Sequence, residues 1–258
     1  MVLCIDIGNT LTDIGIFSTS GNLDKVLRYR SEKIISEEEV YSSLSLMLER
    51  NKIDFSLIEG VMICSVVPSL ENIYKNVFEE KFKAPVYSIS QKVKTGLMIN
   101  CDNPKEVGAD LIVDCVGAKN KYGNACLIVD MGTANKVILL DDKGAFAGCV
   151  IGPGLAISSS ALFDKTSALH EVSIEIPKHI IGKNTKDSMN SAFTYGNAYS
   201  LMTLVEKAEK EAGYPCKKIL TGGYSRIIKP LFEGYIYDEN LLLDGLYAVY
   251  KKNVVVKK

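Results

Sequence analysis

The chain has 258 residues, of which 47% are hydrophobic and 24% are charged, and its formal net charge is -1. This length and apolar content allow one large core or two smaller ones. The balanced charges form no basic nucleic-acid stripe, and no apolar run approaches the roughly 18 residues that span a membrane. Asp6 also interrupts the N-terminal apolar run where a signal peptide would be continuous. We therefore expect a cytoplasmic protein with no nucleic-acid or membrane partner.

Cysteine and histidine usage argues against several kinds of site. The seven cysteines are an odd number and lie mostly within apolar runs, without metal-ligand spacing. We expect them to be reduced core residues. The two histidines, His170 and His179, are nine residues apart in loop-like sequence. They give little support to a histidine metal site or a Ser-His-Asp triad.

The first predicted element is a β-hairpin whose turn reads Asp6-Ile7-Gly8-Asn9-Thr10 between two apolar runs. Glycine lets backbone N–H groups approach an anion, the threonine hydroxyl adds a donor, and the aspartate can hold a metal ion. A single turn of this composition is also ordinary structural chemistry.

The segment after this hairpin predicts alternating helices and strands. Ser36 with Glu39 forms a capping box, and the following apolar spacing predicts a helix with Val40, Leu44, Met47 and Leu48 on one face. The remaining predicted elements are a strand at 26–30, a buried parallel strand at 61–67 that Pro68 ends, a helix to about residue 83 and a strand at 86–89.

A second hairpin follows 124 positions after the first (130 minus 6), and it reads Asp130-Met131-Gly132-Thr133-Ala134. Gly152-Pro153-Gly154 then predicts a turn into a helix from about Leu155. Further helices are predicted at 187–212, as one long helix or a kinked pair, and at about 239–252. Thr221-Gly222-Gly223 follows an apolar pair and would let a flat base or ribose lie against bare backbone.

Two similar halves that each begin with such a hairpin favour an α/β fold of two tandem lobes. The pattern resembles the actin, sugar kinase and Hsp70-type ATPase superfamily. The resemblance implies two actin-like (ribonuclease H-like) lobes, each a mixed five-stranded sheet with helices, with a nucleotide cleft between them. We expect the lobes to span residues 1–116 and 117–258.

Within this superfamily the chain resembles the type III pantothenate kinases over nearly its whole length. Besides the two hairpins and the Thr221 motif, the matching stretches are Ser65-Val66-Val67-Pro68, residues 102–110 (DNPKEVGAD), Gly152-Pro153-Gly154-Leu155 and Ile181-Gly182-Lys183-Asn184-Thr185. The resemblance implies transfer of phosphate from ATP to the primary hydroxyl of pantothenate, the first step of coenzyme A biosynthesis. It also implies Mg²⁺, a monovalent cation such as K⁺ or NH4⁺, and a homodimer with the acceptor site at its interface.

The resemblance also implies a role for each matching residue. Asp110 is the expected general base, although it could instead cap the helix that follows. Asp6 is expected to organise Mg²⁺ and the phosphates, and Asp130 to bind the monovalent cation. The expected nucleotide contacts are Gly8, Asn9, Thr10, Thr12, Gly132, Thr133, Gly222 and Gly223, and the expected substrate contacts are Cys101, Gly108, Ala109, Asp110, Leu111 and Thr185.

Departures from the family pattern cluster at the acceptor site. Leu111 stands where the family has arginine, and Cys101 where it has tyrosine. The arginine fork suits a carboxylate, and losing such a contact typically costs about 1.5–3 kcal/mol. Leu11 replaces a polar residue, and Asn135-Lys136 replaces threonines. Drift at tolerant positions is the alternative explanation.

Lys136 lies three positions past Thr133. An ammonium group is a compact single positive charge, so Lys136 could replace the monovalent cation. It could equally be a solvent-facing strand lysine, because alternation does not tell which face of the strand it occupies.

Three functions remain open at this point. The chain could be a pantothenate kinase, a kinase for a different and less anionic alcohol, or a catalytically weak nucleotide-binding paralogue with a regulatory role. Three separated aspartates without a histidine or cysteine nucleophile agree with phosphoryl transfer, which needs positioning and charge neutralisation.

Overall fold

The structure, a computed structural model, describes residues 1–32, 34–90 and 93–254. Its strands are β1 (Val2–Ile7), β2 (Leu11–Phe17), β3 (Leu23–Arg30), β4 (Gly60–Ser65), β5 (Val86–Ser88), β6 (Met98–Ile99), β7 (Cys126–Met131), β8 (Ala134–Leu140), β9 (Ala145–Pro153), β10 (Lys217–Thr221) and β11 (Ile236–Tyr237). Its α-helices are α1 (Glu37–Arg50), α2 (Pro68–Asn76), α3 (Ala109–Tyr122), α4 (Leu155–Asp164), α5 (Thr185–Ser191), α6 (Asn197–Ala212), α7 (Ser225–Ile228) and α8 (Leu241–Asn253). No helix in these ranges is long and apolar enough to cross a membrane.

The chain divides into two compact units. The first combines Met1–Gly96, Lys105–Asn120 and Leu242–Lys258, and the second combines Leu97–Pro104 and Lys121–Leu241. Both units are therefore discontinuous in sequence, whereas the division predicted after residue 116 is continuous.

The first unit is built on a mixed five-stranded sheet in the order β3-β2-β1-β4-β5. β1 pairs with β2 in antiparallel and with β4 in parallel orientation. The apolar face of α1 covers this sheet, with Val40, Leu44 and Leu48 buried and Met47 partly buried. The predicted capping box is confirmed: Glu39 N donates to Ser36 Oγ, and Ser36 N donates to Glu39.

The second unit repeats this arrangement and adds one strand. Its order is β11-β10-β7-β8-β9-β6, in which β7 pairs with β8 in antiparallel and with β10 in parallel orientation. The expected five strands are present, and β6 makes a sixth at the edge beside β9. A strand of two residues is too short to produce a periodic pattern, so the sequence did not indicate it. The predicted helical region at 187–212 consists of two α-helices, because a π-helical turn at Ala192–Gly196 separates α5 from α6.

The last helix packs within the first unit. The rings of Phe17 and Tyr247 stack with centroids 4.4 Å apart. A Cβ atom on Gly245 would lie 2.2 Å from the carbonyl oxygen of Val113, so α8 approaches the backbone of α3 closely. This contact supports the helix whose first turn contains Asp110.

We expect Gly245→Ala to destabilise the protein by about 1–3 kcal/mol, because the new methyl group overlaps backbone atoms that cannot move aside. This effect outweighs the gain in helix propensity, which is at most about 1 kcal/mol. Urea unfolding measures the difference. Gly196→Ala is the matched control, since a Cβ at Gly196 meets no atom within 4 Å. Equal unfolding free energies for the two variants would contradict the prediction.

Candidate active site

The first hairpin turn lies where β1 ends, at the same sheet edge as the end of β4. Gly8 N donates to the carbonyl oxygen of Leu11 over 3.0 Å, and a Cβ on Gly8 would lie 3.0 Å from that oxygen. Asn9 and Thr10 are exposed at the tip. The turn therefore presents polar side chains and backbone to solvent above a buried strand.

Thr12 is buried rather than exposed at this turn, with 0% of its surface accessible. Its hydroxyl lies 2.9 Å from Ser31 Oγ, and it also hydrogen-bonds Tyr74. The Tyr74 hydroxyl lies 2.5 Å from that of Tyr29. This chain of buried and half-buried hydroxyl groups links β2 to β3 beneath the turn, so Thr12 positions the turn.

The Cys64 thiol on β4 lies within the electrostatic influence of several acidic residues of the first unit. Asp6 lies opposite Cys64 in the β1–β4 ladder. Burial raises the pKa of the Cys64 thiol well above its usual value, and the negative charges of Asp6, Asp110 and Asp114 raise it further. The thiol is therefore neutral, and the charges of Asp6 and Asp110 both act on it.

Asp110 lies in the first turn of α3, and the helix begins one residue earlier. Gly108 occupies the cap position, since its carbonyl accepts the hydrogen bond from Ile112 N over 3.2 Å. Asp110 is therefore not itself the N-cap residue, but its Oδ1 accepts a hydrogen bond from Leu111 N over 2.9 Å, so its carboxylate satisfies one of the free N–H groups of the first turn. A Cβ on Gly108 would lie 2.6 Å from Asp110 Oδ1, so only glycine leaves room for this carboxylate. Ala109, between the two residues, is half-buried.

The two departures from the family's acceptor pattern have different environments. Leu111 is 5% exposed and contributes to the interior of the first unit. Cys101 is half-buried and belongs to the second unit. At Leu111 an apolar side chain is packed where the family pattern has a charged one.

The second hairpin turn is enclosed by backbone on two sides. Gly154 N donates to the Thr133 carbonyl over 3.1 Å, and a Cβ on Gly154 would lie 2.3 Å from the Gly132 carbonyl. Tyr224 N donates to the Met131 carbonyl over 2.9 Å. Gly132 and Thr133 are half-buried in this setting.

Asp130 forms a buried ion pair with Lys136. The two residues are opposite each other in the β7–β8 ladder, and Lys136 Nζ lies 2.5 Å from Asp130 Oδ2. Their side chains are only 15% and 11% exposed, respectively. The other carboxylate oxygen faces Gly222, where an added Cβ would lie 2.3 Å from Asp130 Oδ1. Gly222 has φ +91°, whereas a Cβ on Gly223 would have open space around it.

Thr185 lies at the exposed start of α5, in an open groove of about 580 Å³ in the second unit. Asn184 caps the helix by accepting a hydrogen bond from Asp187 N over 2.8 Å. Gly182, Lys183, Leu169 and Met189 form other parts of the groove.

The described residues include carboxylates whose oxygens are suitable ligands for a magnesium ion. Among the described residues, no group of three or more His, Cys, Asp or Glu is arranged to hold a metal ion. Mg²⁺ is usually bound by one or two carboxylates together with waters and substrate phosphates. The Asp6 carboxylate, at the end of β1 beside the first turn, fits that requirement.

Alternation along the sequence did not tell on which face of β8 the Lys136 side chain lies. The register of the β7–β8 hairpin could have told it. A turn centred on Thr133 places residues 130 and 136 opposite each other, because both are three positions from its centre. Opposite residues of an antiparallel pair share one face of the sheet. The burial of Asp114, at 0% exposure on α3, had no such local signal.

The repeated strand order, with an Asp-x-Gly turn in each unit, defines the fold of the sugar kinase and actin-like ATPase class. The type III pantothenate kinase profile matches residues 2–207. A type III pantothenate kinase of Agathobacter rectalis is 35% identical over 254 residues, which cover 98% of this chain and 97% of that protein. One of Halalkalibacterium halodurans is 36% identical over 98% of this chain and 100% of that protein. The chain belongs to the type III pantothenate kinase family and is a phosphotransferase with an alcohol acceptor.

Solved structures support the fold. A Campylobacter jejuni protein described as a Baf family transcriptional activator has a TM-score of 0.60 at 19% identity, covering 97% of this chain and 98% of that one. A Sinorhizobium meliloti protein described as a 2-dehydro-3-deoxygalactonokinase has a TM-score of 0.59 at 12% identity, covering 100% and 98%. At these identities the likeness concerns the architecture alone.

We expect Lys136→Met to destabilise the protein by about 3–5 kcal/mol, because it leaves the buried Asp130 charge without its partner. The matched control is Arg28→Met. Arg28 pairs with Asp13 across the antiparallel β2–β3 ladder at 2.6 Å, but its side chain is 45% exposed. Loss of this exposed pair should cost no more than about 1 kcal/mol. Urea unfolding measures the loss of unfolding free energy in each variant, in a buffer whose only monovalent cation is a large organic one. Equal losses in the two variants would contradict a buried ion pair between Lys136 and Asp130.

Proposed function

We propose that the chain transfers the γ-phosphoryl group of ATP to the primary hydroxyl of pantothenate. The observation that carries the proposal is the match to the type III pantothenate kinase profile over residues 2–207, with Asp6 at the end of β1 and Asp110 in the first turn of α3 at the positions that the family resemblance implies. The hydroxyl oxygen forms a bond to the γ-phosphorus, its proton passes to Asp110, and the bond from phosphorus to the ADP oxygen breaks. Such a transfer depends on positioning and charge neutralisation, which these residues can supply.

The two hairpins and the Thr221 motif are the proposed nucleotide contacts. Backbone N–H groups and hydroxyls of the turns would donate to phosphate oxygens, and bound Mg²⁺, held by Asp6, would neutralise phosphate charge. Thr12 acts indirectly, through the hydrogen-bonded hydroxyls beneath the first turn. The residues in direct contact are Gly8, Asn9, Thr10, Gly132, Thr133, Gly222 and Gly223.

The acceptor site is proposed to include Asp110, Leu111, Cys101 and Thr185 and to be completed in a homodimer. Exposed apolar side chains beside Thr185 support a covered surface there, since Ile181 is 80% exposed and Ile180 is 53% exposed. Because Leu111 is apolar and buried, a neutral alcohol is the second candidate acceptor.

Lys136 is proposed to supply the positive charge that a monovalent cation gives elsewhere in the family. Its ammonium group already contacts the Asp130 carboxylate in the second unit. A second cation at the same carboxylate oxygen would meet repulsion from this charge.

We expect Asp110→Asn to lower turnover by about 10²- to 10⁴-fold, the usual range for loss of a general base. Binding of ATP should change little, since Asp110 receives the acceptor proton. Single-turnover kinetics and nucleotide titration measure the two effects separately. Glu106→Gln, an exposed position four residues earlier, is the control and should retain full turnover. Full turnover in Asp110→Asn would exclude Asp110 as the base.

The preference between two acceptors tests whether the apolar Leu111 side chain disfavours the carboxylate of pantothenate. We expect weak use of pantothenate relative to its neutral analogue, in which the carboxylate is reduced to an alcohol. Leu111→Arg should raise the kcat/KM ratio of pantothenate to the analogue by roughly ten- to a hundredfold, the value of a charge-assisted contact. Leu111→Met controls for size without charge.

An unchanged ratio in Leu111→Arg, with normal urea unfolding, would show that the missing arginine does not limit pantothenate use. Tight ATP binding without turnover on either acceptor would favour the regulatory paralogue.

Replacing K⁺ by Na⁺ or by a large organic cation at constant ionic strength should leave the rate of phosphoryl transfer unchanged, because Lys136 supplies the charge. Lys136→Ala should then require K⁺ or NH4⁺, with activity and the Tm both rising on addition of either ion. Strong K⁺ activation of the unmodified protein would overturn the role given to Lys136.

A further inference from the structure

A second candidate binding site lies within the second unit, apart from the hairpin turns. A cavity of about 300 Å³ is bounded by residues of β8, β9, α4 and α6. All of its lining residues are uncharged, and they include Val137, Leu201, Leu204 and Ser200. Alternation along β8 directs Asn135 and Val137 to the face opposite Lys136. The cavity is therefore separate from the Asp130–Lys136 ion pair.

Asn135 forms part of this cavity and is only 4% exposed. Its Nδ2 donates to Asn197 Oδ1 over 2.9 Å, but its own Oδ1 is buried and accepts no hydrogen bond from any described residue. Exchanging the nitrogen and oxygen positions of the amide would still leave one polar atom of Asn135 unsatisfied. Buried polar atoms are nearly always paired, so an unsatisfied one beside a cavity indicates a missing partner.

The partner of Asn135 is presented by an unusual helical segment. Asn197 is the first residue of α6 and directly follows the π-helical turn at Ala192–Gly196. Gly196, which ends that turn, also lines the cavity. Single π-helical turns within α-helices occur often at functional sites. The backbone thus has a π-helical turn directly before Asn197, the residue that hydrogen-bonds Asn135.

We propose that this cavity binds a small neutral molecule that combines an alkyl portion with one hydrogen-bond donor, as in a secondary amide or an alcohol. The donor pairs with Asn135 Oδ1, which a modest rotation about the broad χ2 torsion of asparagine turns toward the cavity. The alkyl portion contacts Val137, Leu201 and Leu204. The cavity far exceeds the roughly 30 Å³ of one water and is in the size range of small-molecule sites. Without a cationic lining residue, it does not suit a phosphate or a carboxylate.

The test uses methyl NMR of the full chain without nucleotide, so its result is independent of kinase activity. The probe is N-butylacetamide, and its control is N-butyl-N-methylacetamide, which lacks the N–H donor. We expect saturable shifts at the methyl groups of Val137, Leu201 and Leu204, with at least tenfold weaker binding of the tertiary amide. Asn135→Leu, which removes the acceptor at similar size, should weaken the secondary amide at least tenfold.

Leu204→Trp provides a second variant, because it fills the cavity from α6 and should abolish the shifts even if Asn135→Leu fails to fold. Equal binding of the two amides, unsaturable shifts, or full binding to Leu204→Trp would overturn the proposal. Shifts of the same methyl groups that follow protein concentration and not the probe would also overturn it, since a second copy of the chain would then cover the cavity.

Discussion

Strand direction is the constraint on which the site depends. In each unit a central strand has an antiparallel neighbour on one side and a parallel neighbour on the other. The antiparallel neighbour requires a tight turn at the end of the central strand, and the parallel neighbour ends at that same edge. Turn backbone, the aspartate just before the turn and the residues that follow the parallel strand therefore gather at one place. This geometry explains how Asp6 meets Cys64 in one unit and Asp130 meets Thr221 in the other.

The same architecture carries different electrostatics in the two units. In the first unit, the charges of several carboxylates act together on the buried Cys64 thiol. Beside Gly222, the carboxylate of Asp130 is already compensated by Lys136. The two units therefore share a strand order but differ beside their turns, because the aspartate before the second turn is paired with a lysine of the same hairpin.

Features encoded in short, local patterns could be predicted from the sequence. The two hairpins and the capping box of Ser36 and Glu39 follow from local sequence patterns, whereas the sequence left open whether residues 187–212 form one helix or two. Features that depend on contacts between distant segments of the chain could not be predicted from the sequence. The sixth strand β6 rests on two residues that pair with β9, and the burial of Leu111 depends on the packing of the first unit. Residue types thus indicated which residues belong to the candidate site. The contacts and the burial of each of these residues could be known only from the folded structure.

The position of α8 has a consequence for the order of events during synthesis. Tyr247 stacks on Phe17, and Tyr250 packs against Gly60, where an added Cβ would meet its ring. The ribosome releases residues 1–96 early, yet these aromatic contacts become available only after residue 250 has emerged. The second unit lies almost wholly between these two segments in the chain. The first unit therefore keeps part of its apolar surface uncovered until residue 250 has emerged, and such transiently exposed surface makes an incompletely folded chain prone to aggregation and a target for chaperones.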